Sequence, residues 1–286
     1  MDELLFDRSA REMVSYVMYE HEVFRGKASN TASHLKLPLI SSVSDMTLKG
    51  HAQHLSKYYL HYGALGLSLR CHSSLKQGPI YCNFDSKQII YRRKYGGGNG
   101  QALAKAVGVT NECKPKVLDL TAGLGIDSFI LATLGCKILM LERNPIVYEL
   151  LCDGLARASE MTSDTVDLAH ITERLKLNKI DAYDYLAKLV PENKFDVIYL
   201  DPMFELPAKV AKAKKEMHAL QNLVGADSDA SKVLRIAMRH ARYRTVVKRS
   251  NKSPGLTNQK PDVVLRGKST RYDIYINRRL PPKLKS

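Results

Sequence analysis

The sequence predicts an α/β fold: a mostly parallel, doubly wound sheet with an antiparallel edge, preceded by a small α+β appendage. Three observations carry this. Short apolar runs suited to strands buried on both faces alternate with helical segments from Val117 to Ser250. The first run, Val117-Leu-Asp-Leu-Thr-Ala-Gly-Leu-Gly-Ile-Asp127, breaks into a glycine turn and then opens a helix. Two alternating runs beyond Pro261, at 262–266 and 271–277, read as a strand pair closing the sheet antiparallel at one edge.

The 286 residues suffice for one large domain with an appendage, which we expect over 1–85, with the main domain over 86–286. Lys and Arg number 44 against 29 acids, a formal charge of +15. That balance points to a polyanion such as nucleic acid or an anionic membrane surface. The five cysteines form no C-x-x-C pair, so neither a zinc site nor a disulfide framework is expected, and a reducing cytoplasm fits. No run approaches the ~20 apolar residues of a membrane span, and the acidic start lacks the pattern of a signal peptide. His51 and His54 have no matching cysteine or acidic ligands nearby, so no metal is expected.

In chain order, the runs beginning at Leu65 and Ile80 read as strands of the appendage. Tyr91-Arg-Arg-Lys-Tyr-Gly-Gly-Gly-Asn-Gly100 reads as a basic, glycine-rich loop, with Arg92, Arg93 and Lys94 as candidate contacts to a nucleic-acid backbone. A helix then runs from Gln101 to Gly108. After the glycine turn, whose Gly123 and Gly125 would let a ligand approach the backbone, comes a helix stopped at Gly135. Cys136–Asn144 holds a second strand with Glu142 at its carboxyl end, suited to accept hydrogen bonds from ribose hydroxyls. Pro145 opens an amphipathic helix to about residue 160, and a further helical stretch leads to Arg174. A third strand at 175–180 ends at Asp181, a helix cap that could also take a bond from an adenine amine.

The fourth strand, Phe195-Asp-Val-Ile-Tyr-Leu, ends in Asp201-Pro202-Met203-Phe204. Strands one and four are neighbours where a doubly wound sheet reverses its order, so Asp201 should face the crevice beside Gly123 and Gly125. A carboxylate at Asp201 and the Pro202 carbonyl can accept both N–H bonds of an exocyclic base amine, while Phe204 stacks on the base for ~1–3 kcal/mol. Lys209, Lys212, Lys214 and Lys215 follow on a helix that would meet nucleic acid. A helix from Asp229 and a fifth strand from Thr245 complete the series.

The order of these pieces resembles the class I S-adenosylmethionine-dependent methyltransferases. At finer grain the chain is similar to the bacterial ribosomal RNA small subunit methyltransferase J family. The resemblance rests on R-R-K-Y-G-G-G-N-G at 92–100, D-L-T-A-G-L-G-I-D at 119–127, M-L-E-R-N-P at 140–145, L-D-P-M-F at 200–204, K-K-E-M at 214–217 and L-V-G at 223–225. It implies a Rossmann-like fold, S-adenosylmethionine as cofactor, and methylation of a guanine N2 amine in 16S rRNA. Residue by residue, it implies cofactor contacts at Ile126, Asp127, Glu142, Arg143, Asp181, Ala182 and Asp201. Other readings remain open: a DNA adenine-N6 or cytosine-N4 methyltransferase, a nicotinamide dehydrogenase that would leave Asp201–Phe204 without a role, and a non-catalytic RNA-binding assembly protein.

Overall fold

The computed structural model describes residues 12–41, 56–72, 78–161, 168–190, 195–203, 225 and 227–284. They divide into two compact units. One comprises residues 1–83, 144–157 and 204–226. Its described strands are β1 (Val14–Tyr19), β2 (Leu39–Ile40), β3 (Tyr58–Gly63) and β4 (Gly66–Cys71), in the order β2-β1-β3-β4. β1 runs parallel to β2 and β3, whereas β3 and β4 form an antiparallel hairpin. Helix α1 (Arg25–Leu35) crosses from β1 to β2 and buries Ala28, Thr31, Ala32 and Leu35. The run at Ile80, expected as a strand, makes only a single antiparallel bridge to Leu69.

The same unit takes in residues 145–157 of the helix over Pro145–Glu160. The Oδ1 of Asn144 accepts the N–H groups of Ile146 and Val147, so the orphan donors of the first turn are satisfied. Further along, Asp153 accepts the Leu67 N–H at 3.0 Å and pairs with Arg157, whose guanidinium also donates to the Cys82 carbonyl. Gly154 is required there, because a Cβ would stand 2.5 Å from Cys82 Sγ.

The second unit comprises residues 84–143, 158–203 and 227–286. Its strands are β5 (Val117–Asp119), β6 (Ile138–Glu142), β7 (Leu175–Lys179), β8 (Val197–Leu200), β9 (Arg244–Ser250), β10 (Val263–Arg266) and β11 (Thr270–Ile276). They lie in the order β10-β11-β9-β8-β5-β6-β7. β5 to β9 are parallel, and the order reverses between β5 and β8, as a doubly wound sheet requires. The expected strand pair is present and closes the sheet antiparallel at one edge. β11 inserts between β9 and β10 and runs antiparallel to both.

Period-two alternation assigns the two faces. Leu118, Leu120, Ile198, Leu200, Val247 and Tyr275 bury one face in a core with two helices, Ala182–Lys188 and Ala230–His240. On the opposite face stand Val117, Asp119, Val197, Tyr199, Val246, Lys248 and Tyr272, beside the helix Ile126–Thr133. That helix buries Phe129, which stacks on Phe84 with ring centres 4.4 Å apart. The polar side chains on this face become the site.

A second expectation is also corrected. The segment around Arg92, Arg93 and Lys94 is not a loop but lies on a helix, Lys87–Tyr95. The Ser86 hydroxyl oxygen accepts the Ile89 N–H and starts it, and no glycine or proline interrupts it before Gly96. The glycines do form the turn beyond, with Gly97 at φ 87°. Numbered in chain order, the helices after α1 are α2 (Lys87–Tyr95), α3 (Ala102–Val107), α4 (Ile126–Thr133), α5 (Pro145–Glu160), α6 (Leu168–Thr172), α7 (Ala182–Lys188) and α8 (Ala230–His240).

Candidate active site

The site lies at the carboxyl ends of β5, β6 and β8, where the strand order turns. β5 ends in Asp119, which is 2% exposed. One carboxylate oxygen accepts the Thr121 N–H at 3.1 Å and the other the Ser128 hydroxyl at 2.6 Å. The turn is thereby stapled to the first turn of α4. Burial pushes the Asp119 carboxyl up to about 7, against the lowering effect of those two bonds.

Gly123 and Gly125 adopt left-handed conformations, φ 55° and 72°. The Gly123 N–H donates to Glu142 Oε2 at 2.9 Å, and the Ala122 N–H donates to the Leu141 carbonyl at 3.0 Å. The turn is thus moored to the end of β6. A Cβ on Gly123 would meet nothing within 4 Å, so the turn borders open space. Ile126 opens α4 and is 44% exposed.

Asp127 is the most heavily engaged acid. Its Oδ1 accepts from Arg92 at 2.8 Å, and its Oδ2 from the Tyr199 hydroxyl at 2.7 Å and from Lys248 Nζ at 2.8 Å. Burial alone would raise this carboxyl, but the charges of Lys248 and Arg92, with the hydrogen bonds from Lys248 and Tyr199, hold it down at about 2. Lys248 also donates to Asp201 Oδ2 at 2.7 Å. The ammonium is therefore held strongly in its charged form, the two carboxylates outweighing its desolvation.

The Asp201 N–H donates to Thr121 Oγ1 at 2.7 Å, which ties the end of β8 to the glycine turn. The Asp201 side chain is 40% exposed. Even so, surrounding protein atoms desolvate it enough to raise its carboxyl, with Asp127 adding to the rise and Lys248 opposing it. Pro202 is buried behind it. The Met203 N–H donates to Asp227 Oδ2 at 2.7 Å, and the Asp227 N–H donates back to the Met203 carbonyl at 3.2 Å.

Arg143, one residue past β6, gathers three acids. Its guanidinium donates to Asp181 at 3.3 Å, to Asp229 at 3.0 Å and to Asp227. Asp181 also caps α7, accepting the N–H groups of Tyr183 and Asp184, and Ala182 follows it in the first turn.

The structure thus brings Gly123, Gly125, Asp127, Glu142, Arg143, Asp181, Ala182, Asp201 and Pro202 to one end of one sheet. Phe204 and the four lysines Lys209, Lys212, Lys214 and Lys215 lie outside the described residues. Sequence reasoning missed Asp119, Thr121, Tyr199, Asp227 and Lys248. Lys248 had a signal: a cation inside the buried run Val246-Val247-Lys248-Arg249 needs an anionic partner. The partner itself lies too far along the chain to be read.

Among the described residues, no helix is long and apolar enough to cross a membrane. Residues 43–277 match the model of a family described as putative SAM-dependent methyltransferases. A Cellvibrio japonicus protein named ribosomal RNA small subunit methyltransferase J is 49% identical over 217 residues, covering 76% of this chain and 82% of that protein. A Coxiella burnetii protein of the same name is 40% identical over 261 residues, covering 91% and 96%. Among solved structures, a SAM-dependent methyltransferase from Neisseria gonorrhoeae superposes with a TM-score of 0.65 at 30% identity, covering 92% of this chain and 96% of its own. With its strand order, its glycine turn and these relatives, the chain belongs to the SAM-dependent methyltransferases and, within them, to the ribosomal RNA small subunit methyltransferase J family.

Proposed function

We propose that this chain methylates the exocyclic N2 amine of a guanosine in the 16S rRNA of the small ribosomal subunit, in the cytoplasm, using S-adenosylmethionine. The bond from the Asp201 N–H to Thr121 supports this reading most, because it sets an Asp-Pro pair directly beside the glycine turn. The turn suits the cofactor's chemistry. It borders open space at Gly123, a carboxylate stands at Glu142, and the opening turn of α4 presents N–H groups that lack intrahelical acceptors.

Glu142 would accept hydrogen bonds from the ribose hydroxyls. The main-chain N–H groups of Ile126 and Asp127 would line the cofactor. Asp181 and Ala182 would face the adenine, with Arg143 orienting Asp181. When bound, S-adenosylmethionine supplies an electrophilic methyl carbon on a sulfonium sulfur. The protein's task at the acceptor is positioning. One oxygen of Asp201 is occupied by Lys248, and Oδ1 has no hydrogen-bond partner among the described residues. Asp201 Oδ1 and the Pro202 carbonyl would accept the two N–H bonds of the amine, turning its lone pair out of conjugation. Asp201 would border the cofactor as well, and would receive the amine proton as the nitrogen–carbon bond forms and the carbon–sulfur bond breaks, releasing S-adenosylhomocysteine. The guanine has to leave its stack to reach this position, and Phe204 would cover its face.

Residues 86–286 would carry the chemistry and 1–85 would guide the rRNA. Arg93 and Lys94 on α2, with Lys209, Lys212, Lys214 and Lys215, would contact phosphates. Arg92 is already paired with Asp127 and would contribute its charge from there.

The test is transfer of labelled methyl groups to 30S particles and to naked 16S rRNA from cells lacking this gene, followed by nucleoside mass spectrometry. N2-methylguanosine is the expected product. Label in DNA instead would make the chain an adenine or cytosine amino-methyltransferase. Cofactor binding with no labelled acceptor at all would overturn the acceptor assignment.

A further inference from the structure

The geometry points to Lys248 as a positioning residue for the transfer: clamped by Asp127, its ammonium fixes one oxygen of Asp201 and leaves the other turned to the acceptor amine. This inference rests on the role proposed above for Asp201. It departs from the family resemblance, which implied Asp127 as a cofactor contact and gave Lys248 no part.

All the hydrogen bonds that the Asp127 side chain makes among the described residues go to Arg92, Tyr199 and Lys248, so the carboxylate is turned toward the sheet. Three donors from α2, β8 and β9 fix its position. Lys248 comes from β9 with its ammonium 2.8 Å from Asp127 and 2.7 Å from Asp201. An ammonium has three donors, and two are committed here to carboxylates that would otherwise repel each other. The Lys248 side chain is only 24% exposed, so the pairs act with less screening than surface ones.

Without that cation, Asp201 would stand at the crevice with two free oxygens, free to rotate, beside another carboxylate. With it, Asp201 stays ionised in one orientation, which is what accepting an N–H bond requires. The main-chain bond to Thr121 fixes where the residue starts, and Lys248 fixes where its side chain ends.

The charged and titratable groups that Asp201 interacts with electrostatically are Asp119 on β5, Asp127 on α4, Tyr199 on β8, Lys248 and Arg249 on β9, Tyr272 on β11, and Asp227 ahead of α8. Of the cations in this group, Lys248 alone bonds Asp201.

The test measures kcat against pH for the wild type, Lys248→Met, Lys248→Arg and Asp127→Asn, with cofactor affinity by calorimetry and folding by circular dichroism. Lys248→Met should cut kcat by about 100-fold at neutral pH. Its acid limb should move up by about 1–3 units, with rate recovering as pH rises. Lys248→Arg should keep the limb near the wild-type position. Asp127→Asn should move the limb the opposite way, because it removes a repelling carboxylate and leaves the cation to Asp201. A merely structural lysine would not give opposite shifts. Affinity for S-adenosylmethionine should stay close to wild type in the Lys248 variants.

Wild-type rates with an unmoved acid limb in Lys248→Met would overturn the inference. If that variant does not fold, the direction of the Asp127→Asn shift decides alone, and an upward shift overturns it. A wild-type protein that makes no N2-methylguanosine fails at the proposed function. An active wild type whose variants do not move the limb fails only here.

Discussion

Thr121 Oγ1 accepts the backbone N–H of Asp201 at 2.7 Å, so the turn that follows β5 and the end of β8 move as one piece. The two ends of the proposed chemistry, the cofactor turn and the acceptor carboxylate, are thereby held in a fixed relation, the hydroxyl adding to the main-chain bond from Leu120 to the Tyr199 carbonyl.

Thr121→Val keeps the shape and removes the acceptor. It should lower stability by about 1–2 kcal/mol, the cost of leaving one N–H unpaired. The turnover number should fall further than that loss alone suggests, because Asp201 gains freedom. Thr121→Ser should restore both. Urea unfolding and steady-state kinetics check this, and a valine variant with normal turnover would show that the bond is dispensable.

Gly123→Ala places a methyl group in the open space beside the turn and forces a left-handed conformation on a residue that resists it, at about 1–2 kcal/mol. Because that space is the proposed cofactor cradle, the dissociation constant for S-adenosylmethionine should rise more than the melting temperature falls. Calorimetric titration beside a thermal melt separates the two effects.

Arg143→Met leaves Asp181, Asp227 and Asp229 facing one another with their shared cation gone. The Arg143 side chain is 15% exposed and those of Asp181 and Asp227 are 19% and 13% exposed, so the loss should be that of a largely buried pair, about 3 kcal/mol. Arg143→Lys cannot fork to three acids and should recover only part of it. Chemical denaturation at neutral pH gives the number.

Asp119 predicts a pH dependence of definite sign. Its folded-state carboxyl lies near 7, above the ordinary value of 3.8, so the folded protein holds the proton more tightly than the unfolded chain does. Its contribution to stability is fully present below about pH 4 and is lost as pH rises through 7, with an upper bound of about 4 kcal/mol for a gap of roughly three units. Asp119→Asn should remove this slope, and the stability difference between wild type and variant should shrink or reverse above pH 7. Denaturation curves from pH 4 to 8 are the measurement; a constant difference would rule the assignment out.

Replacing Lys209, Lys212, Lys214 and Lys215 together with alanine should weaken RNA binding at low salt while leaving cofactor affinity unchanged. The slope of log K against log salt should flatten by about 0.7 for each phosphate of single-stranded RNA that these lysines no longer neutralise. An unchanged slope would place the RNA elsewhere.

How much of this was legible in the sequence differs by element. β6 and β8 are largely buried on both faces, and their apolar runs announce them, as does Val117-Leu118 at the start of β5. The glycine turn, Glu142, the Asp181 cap and the Asp201-Pro202 pair are local, so neighbouring residues reveal them. The helical state of α2 was obscured by its three cations and the glycines that follow, because composition suggested a loop while the Ser86 cap decided otherwise. The pairing within the charge cluster could not be read. Lys248 reaches Asp127 across 121 residues of chain and Asp201 across 47, and only the register of the strands puts them on one face. The position of β11 was equally hidden, since two adjacent alternating strands do not reveal which of them meets the sheet.

That position bears on how the protein comes into being. In the sheet register Lys248 stands opposite Tyr272, so the outer flank of β9 is completed by a strand made more than twenty residues later. During synthesis β9 emerges with one neighbour, β8, and an open edge, and β10 has nothing to pair with until β11 arrives to separate them. The long connection between β9 and β11 must therefore close before the cation under Asp201 is walled in. A ribosome making this chain releases a competent site only after residue 276 is free to fold, so stalling or truncation a few residues earlier should yield a protein with every crevice residue present and no activity.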